Sequence, residues 1–373
     1  MRSKAAVLYG VGEPFKIEEI EVDDPKPGEV MVRLVATGIC HSDHHLVTGD
    51  MELLPTAYPM VAGHEGAGVV EKVGEGCTRV KPGDHVVLNF APSCGHCRWC
   101  ATGQQMMCDL GSGLTGGRQA DGTTRMHTID GTDLGQWVSI STFSEWTTCP
   151  ENSCVVVGKH LPLDKIGLVG CGVPTGFGAV VNRAQLQAGE TLAVFGAGGL
   201  GMNAIQGGVL SGASKIIAVE PIAFKRQAAL EFGATHTIDP NAEDPVAKIH
   251  EITDNLGVDK AVVTVDLAYP KTYGIAVDAV RKGGRAVVVS TPHLTTKTME
   301  IDPGKFGHWQ KELFGTVYGG SNPQYDIPRL LGLYDAGKLK IDELVTQTYS
   351  LEQINEACDD MLEGRNIRGM IVF

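Results

Sequence analysis

No hydrophobic run in the 373-residue sequence reaches the roughly 18 residues that a membrane-spanning helix needs. There is also no block of like charges. The formal net charge is −13, without a basic stripe, which excludes a nucleic-acid surface because phosphate binding needs clustered cations. The N-terminal stretch MRSKAAVLYG lacks the long apolar core and cleavage pattern of a signal peptide. No internal repeat and no low-complexity segment interrupts the chain. These absences lead us to expect a cytoplasmic globular protein with no membrane partner and no nucleic-acid partner. Hydrophobic residues at 43% and charged residues at 20% are ordinary for such a chain. Its length suits two domains. Glycine is abundant, at 48 residues, and glycines serve sharp turns and close approaches of backbone to ligand.

The densest chemistry lies in CGHCRWCATGQQMMC, residues 94–108, where Cys94, Cys97, Cys100 and Cys108 are spaced C-x2-C-x2-C-x7-C. In a reducing compartment such clusters bind metal more often than they form disulfides. The spacing departs from the common ferredoxin run, which closes with C-x3-C and Pro. Four thiolates around one zinc ion fit better, and a site filled by four protein ligands is structural. Another metal, or a set of free thiols, is the remaining alternative.

The first 90 residues read as short strands broken by Gly and Pro: KAAVLYG, FKIEEIEV, EVMVRLVATGI, GAGVVEKVG and DHVVLNF. The polar stretch GSGLTGGRQADGTTRMHTIDGTDLG reads as a long loop before the strand-like STFSEWTTC. From about residue 190, buried strands (TLAVFG, SKIIAVE, VDKAVVTVD, GGRAVVVS) alternate with helical patterns, the signature of βαβ units around a parallel sheet. The tail, with LEQINEACDDMLEG and the closing strand RGMIVF, differs again.

FGAGGLG, residues 195–201, follows one strand and opens a helix. It places Gly196, Gly198 and Gly201 as G-x-G-x-x-G, with Gly199 and Leu200 between them. Glu220 ends the next strand, about 20 residues on, where an acid accepts hydrogen bonds from the adenosine ribose. Its charge favours NAD over NADP. The helix N-terminus would meet the pyrophosphate. Lys225 either approaches the same ribose or is a solvated helix lysine.

Three more motifs carry chemistry: GICHSDHH with Cys40, Ser42, Asp43 and His45; GHEGAG with His64 and Glu65; and VGCGVPTGFG with Cys171. Two thiolates and an imidazole make a tetrahedral zinc site with one open position. Together with the four-cysteine loop and FGAGGLG, and in this order along essentially the whole chain, the set resembles the zinc-dependent medium-chain alcohol dehydrogenases. The resemblance implies an α/β fold: a GroES-like, mostly-β catalytic domain over residues 1–172 and 316–373, and a doubly wound Rossmann NAD-binding domain over 173–315. It implies two zinc ions per chain. The catalytic zinc would sit on Cys40, His64 and Cys171, and the structural zinc on Cys94, Cys97, Cys100 and Cys108. Glu65 and Asp43 would orient the ligands and tune the ion.

The same resemblance implies that zinc lowers the pKa of an alcohol oxygen and that hydride passes to the nicotinamide of NAD(H). Ser42 would take the alcohol proton and His45 would carry it onward; a solvated loop histidine is the bland alternative for His45. Phe90 would be a wall of the alcohol pocket, or simply core. Thr175 would sit under the nicotinamide, and Arg368 would reach the pyrophosphate. His41 stands where several relatives carry arginine, and histidine is a weaker, pH-dependent anion partner. Cys77, Cys149, Cys154 and Cys358 lack ligand spacing and read as core or surface thiols. His85 reads as a strand residue with a satisfied ring, and His44 as facing away from the site.

CHSDHHLVTGD, FAPSCGHC, EPIAFKRQAALEFGATH and GGSNPQYDIPRLL resemble the actinobacterial nicotinoprotein branch. There NAD(H) stays bound through turnover. Electrons leave to a nitroso-dimethylaniline dye or, in the cell, to a peptide-derived redox cofactor such as mycofactocin. The substrate would be a small alcohol or aldehyde, and the protein a homodimer or homotetramer. A conventional NADH-releasing alcohol or formaldehyde–thiol-adduct dehydrogenase is the alternative enzyme. A zinc-free quinone reductase would not need Cys40, His64 and Cys171 together, and a non-catalytic dinucleotide-binding protein would not need Ser42 and His45.

Overall fold

The structure, a computed structural model, describes residues 1–50, 58–113, 116–293 and 295–373. It divides into two compact units, Met1–Cys171 with Asn322–Phe373, and Gly172–Ser321. No helix among the described residues is long and apolar enough to cross a membrane.

In chain order the strands of the first unit are β1 (Arg2–Leu8), β2 (Lys16–Val22), β3 (Glu29–Gly38), β4 (Met60–Val61), β5 (Gly66–Val73), β6 (His85–Leu88), β7 (Met126–Thr128), β8 (Asp133–Gln136), β9 (Trp146–Pro150) and β10 (Cys154–Val157). The second unit carries β11 (Thr191–Phe195), β12 (Lys215–Val219), β13 (His236–Ile238), β14 (Val258–Val263), β15 (Leu267–Ala268), β16 (Val280–Val288), β17 (Thr291–Pro292) and β18 (Glu312–Gly315). The tail returns to the first unit with β19 (Val345–Tyr349) and β20 (Arg368–Val372).

The first unit combines a closed barrel, β1-β2-β7-β8-β4, with a second sheet ordered β10-β6-β5-β3-β20-β19, β9 also pairing with β3. Strand β3 is nearly continuous in buried residues because it is central and covered on both faces. The closing strand β20 inserts beside it antiparallel, Ile371 opposite Thr37 and Met370 opposite Gly38. This pairing brings a residue near the C-terminus to the start of the site. Helix Ile354–Leu362 packs behind it, burying Ile354, Ala357, Cys358 and Met361 at the i, i+3, i+4, i+7 spacing of an amphipathic helix.

The stretch read as one long loop is more ordered than its composition suggests. It begins in a short helix, Asp109–Gly113, and ends in the antiparallel pair β7–β8. Residues 114 and 115 lie outside the described residues. Runs of three and four residues are too short to show a period of two. They become strands because β2 and β4 offer edges that close the barrel.

The second unit is a six-stranded sheet, β13-β12-β11-β14-β16-β18, with every pairing parallel. Counted in chain order this is 3-2-1-4-5-6, the doubly wound dinucleotide-binding arrangement. Helices Gly199–Leu210 and Ala223–Glu231 make the crossovers from β11 to β12 and from β12 to β13. Strands β15 and β17 form a small separate pair.

Candidate active site

Three loops of the first unit converge. Cys40 follows β3 and caps the helix His41–Thr48 from an extended conformation. His64 and Glu65 lie between β4 and β5. Cys171 follows a short turn, Gly167–Gly170. Ligand atoms of Cys40, His64, Glu65 and Cys171 all lie within 4.8 Å of one another. Glu65 is fully buried, and His64 and Cys171 are nearly so. Asp43 Oδ1 meets His64 Nδ1 at 2.8 Å and accepts from Gly63 N at 3.0 Å. With Nδ1 committed, Nε2 is the ring nitrogen left to ligate.

The charges of this cluster explain what it can hold. Hydrogen bonding from Cys171 holds the Cys40 thiol well below its ordinary range, against burial, with His64 and Arg368 adding to the effect. Conversely, the Cys40 sulfur and burial push the Cys171 thiol up. Burial works against a charged His64, but Asp43 and Cys40 outweigh it and hold the imidazole well above its usual value. Burial raises Glu65, despite the opposing charge of Arg368. A buried group of anionic donors that must share protons is a seat for a cation. Two sulfurs and one imidazole, with a carboxylate beside them, fit zinc.

Arg368, which the resemblance places at the pyrophosphate, makes a contact that spacing did not reveal. Its guanidinium is buried, pairs with the Glu65 carboxylate and donates from Nη2 to Ile39 O at 2.9 Å. The two residues are 303 positions apart, and only the insertion of β20 beside β3 brings them together. Gly38 makes room: a Cβ there would sit 2.4 Å from Glu65 Oε2 and 2.6 Å from Leu168 Cδ2.

The helix after Cys40 distributes its histidines unequally. His45 is 4% exposed, which removes the solvated-loop reading. His41, Ser42 and His44 are half-buried. Phe90 meets His64 edge-to-face, centroids 5.7 Å apart, and also packs against the hydrophobic core.

The second cysteine set forms a closed cluster. Ligand sulfurs of Cys94, Cys97, Cys100 and Cys108 lie within 4.8 Å of one another. Backbone N–H groups point at the sulfurs, Cys94 N to Cys108 at 3.2 Å and Cys97 N to Cys94 at 3.3 Å. Such donors favour thiolate, and backbone bonding from Cys100 and Asp109 lowers the Cys97 thiol to about 6. Burial pushes Cys100 up to about 12. Four sulfurs leave no open position, the property of a structural zinc site. The remaining cysteines form no disulfide. Cys149 and Cys154 lie buried with sulfurs 4.0 Å apart, Cys77 donates to Glu29 O, and Cys358 is buried.

In the second unit the glycine run forms the turn between β11 and its helix. Gly196 has φ +92°, a left-handed conformation that a side chain resists. Gly198 caps the helix, and a Cβ on it would meet nothing within 4 Å, leaving open space above the helix N-terminus. Gly199 and Leu200 form the half-buried first turn. A Cβ on Gly201 would lie 1.9 Å from Gly196 O, so only glycine allows the helix to pack this close. The Thr264 hydroxyl donates to Gly196 O at 2.8 Å.

Glu220 directly follows β12 and accepts from Ala197 N at 2.7 Å and Ile222 N at 3.0 Å. Lys225 is 8% exposed, and burial lowers its ammonium while Glu220 opposes that. It is not a solvated lysine. Arg226 is committed to Glu220 O, Pro221 O and Asp239, so the neighbouring cation is not free for a 2′-phosphate. A glycine cradle, an open helix N-terminus and an acid at the second strand fit a dinucleotide without that phosphate. Thr175 is buried in helix Gly172–Gly178 of the same unit.

Residues 26–159 match the alcohol dehydrogenase GroES-like domain family, and residues 199–336 match the zinc-binding dehydrogenase family. The chain is 47% identical over 372 residues to an NDMA-dependent alcohol dehydrogenase of Amycolatopsis methanolica, covering all of this chain and 99% of that one. It is 46% identical over 372 residues to a putative alcohol dehydrogenase D of Mycobacterium tuberculosis, covering all of both. Among solved structures, an alcohol dehydrogenase zinc-binding domain protein from Burkholderia ambifaria superposes with a TM-score of 0.94 at 38% identity, over 100% of this chain and 99% of that one.

Proposed function

This chain belongs to the zinc-dependent medium-chain alcohol dehydrogenase family, and we propose that it oxidises small alcohols with an NAD(H) that stays bound through turnover and is re-oxidised in place by an external electron acceptor. The balance is alcohol plus NAD+ giving aldehyde, NADH and a proton. The acceptor would then take the hydride equivalent and a proton, so that NAD+ would be restored in place. The full-length 47% identity to an enzyme described as NDMA-dependent carries this reading. A peptide-derived redox cofactor of the mycofactocin class is the proposed natural acceptor.

Cys40, His64 and Cys171 would hold one zinc, and Cys94, Cys97, Cys100 and Cys108 a second. When bound, the catalytic zinc supplies a Lewis acid for the alcohol oxygen and the nicotinamide supplies the hydride acceptor. Asp43 keeps His64 in the tautomer that presents Nε2. Arg368 balances the Glu65 carboxylate beside the ligands. Ser42, two residues beyond Cys40, takes the alcohol proton, and the buried His45 passes it on. Phe90 supplies an apolar surface against His64. Glu220 accepts the ribose hydroxyls and repels a 2′-phosphate. Lys225 stands beside it, the glycine turn with Gly199 and Leu200 receives the pyrophosphate, and Thr175 lies under the nicotinamide.

The test is cofactor retention. The protein is desalted without added NAD and denatured, and released NAD(H) is quantified per chain. Alcohol oxidation is then assayed with the nitroso dye alone. Near-stoichiometric NAD(H) with dye-dependent turnover is expected. An empty protein that needs added NAD and accumulates NADH would overturn the bound-cofactor reading in favour of a conventional dehydrogenase.

A further inference from the structure

Behind the Cys40–His64 cluster lies a buried segment that none of the roles above uses. Between β8 and β9 the chain passes through Val138 (φ +44°), Ser139 (φ +61°) and Ser141 (φ +39°). None is glycine, and valine is β-branched, so this left-handed run is strained. Every residue from Trp137 to Ser144 is buried. Strain of this kind persists only where neighbours over-determine the backbone, and it gathers at functional sites.

The neighbours here are the metal-ligand segments. Thr142 N donates to Gly63 O at 3.0 Å, and Phe143 N to Ala62 O at 3.0 Å. The Ser141 hydroxyl donates to Val61 O. Gly63 is pressed against the loop so closely that a Cβ on it would lie 2.5 Å from Phe143 N and 2.7 Å from Thr142 Oγ1. His64 follows directly. On its other side Thr142 shares a hydrogen bond of 2.6 Å with Thr37 Oγ1, both residues being fully buried. Thr37 stands in β3, three residues before Cys40.

We propose that Thr142, through its hydroxyl bond to Thr37 and its backbone bond to Gly63, is a positioning residue that sets His64 relative to Cys40 at the metal site. The strained loop presents Thr142 at this point. Outer partners of this sort change metal affinity by about 10–100-fold when removed. The inference rests on the reading that Cys40, His64 and Cys171 hold a metal.

The test uses full-length holoenzyme and cobalt-exchanged protein. Thr142→Val keeps shape and removes the hydroxyl, Thr142→Ser keeps the hydroxyl, and Thr37→Val removes the other partner. Thr124→Val is the control. It deletes a buried hydroxyl bonded to Met126 O and Leu134 O in the barrel, outside the Thr37–Thr142–Gly63 bonds. Cobalt absorption bands report ligand geometry, and transfer of zinc to a chromophoric chelator reports affinity. Thr142→Val and Thr37→Val are expected to shift the cobalt bands and to release the Cys40-site zinc about tenfold faster. Thr142→Ser should stay within about twofold of wild type, and Thr124→Val should lose thermal stability without moving either signal.

A Thr142→Val protein with the wild-type cobalt spectrum and zinc release refutes the proposal, as does a Thr142→Ser protein equal to Thr142→Val. If neither valine variant can be isolated folded, the pair is a folding requirement and the positioning role is refuted. Failure of the underlying metal reading looks different: Cys40→Ser would leave the wild-type cobalt spectrum intact.

Discussion

Replacing Arg368 by methionine breaks a buried ion pair of the first unit. Glu65 is fully buried and Arg368 is 7% exposed, so water cannot take over the lost interaction. The methionine fills much of the volume but takes the guanidinium away from the buried carboxylate, and it strips Ile39 O of its donor. Removing one partner of a buried pair costs about 3–5 kcal/mol, mostly as the penalty of the charge left behind. For a cooperative unit of this size, each kcal/mol lowers the melting temperature by roughly 2–4 °C, so a fall of about 6–20 °C is expected. Glu65→Gln in the same protein removes the stranded charge and should recover most of the loss. The pH dependence has a definite sign. Burial already raises Glu65 above its ordinary value, and losing Arg368 removes an interaction that lowers it. A group raised in the folded state is tolerated when protonated and destabilises as pH rises through its folded value. The gap between variant and wild type should therefore be small near pH 5 and grow toward pH 8. Thermal melts of zinc-loaded protein across that range make the measurement. An Arg368→Met protein within 1 kcal/mol of wild type by the conversion above, or a double variant no more stable than the single one, would refute the reasoning.

Other substitutions separate the sites. Cys40→Ser should abolish turnover and remove one zinc while the protein stays folded; unchanged activity would sink the assignment of Cys40 as a ligand. Cys100→Ser should chiefly cost stability or assembly, since a closed zinc site contributes folding energy, with zinc content and melting temperature as the readouts. Gly201→Ala forces a methyl to within 1.9 Å of Gly196 O, which is backbone and cannot yield cheaply. Bound NAD(H) in the purified variant should fall well below wild type while the zinc content is kept, and full retention would show that the turn adapts.

Much of the architecture was legible because it is written in local patterns. Strands β1, β2, β3, β5, β6, β9, β11, β12, β14, β16 and β20, the glycine turn after β11 and the acid after β12 each rest on a period or spacing within about 25 residues. The β7–β8 pair was not legible, because strands this short take their identity from β2 and β4 rather than from themselves. The burial of Lys225 and His45 was equally hidden, since a charged or imidazole side chain carries no mark of whether its helix face is covered.

By itself, then, the sequence determined the chemistry on offer: two cysteine-bearing donor sets, a glycine turn opening a helix, and an order of motifs that belongs to the zinc alcohol dehydrogenases. Only the tertiary structure decided how those donors are held. Arg368 reaches Glu65 across 303 positions because β20 pairs with β3, and Thr142 reaches Thr37 because a strained loop folds back under Gly63. Spacing encodes which side chains can share one turn or strand. Contacts between distant segments arise only when long-range pairing and burial bring the segments together, and no local pattern records that outcome.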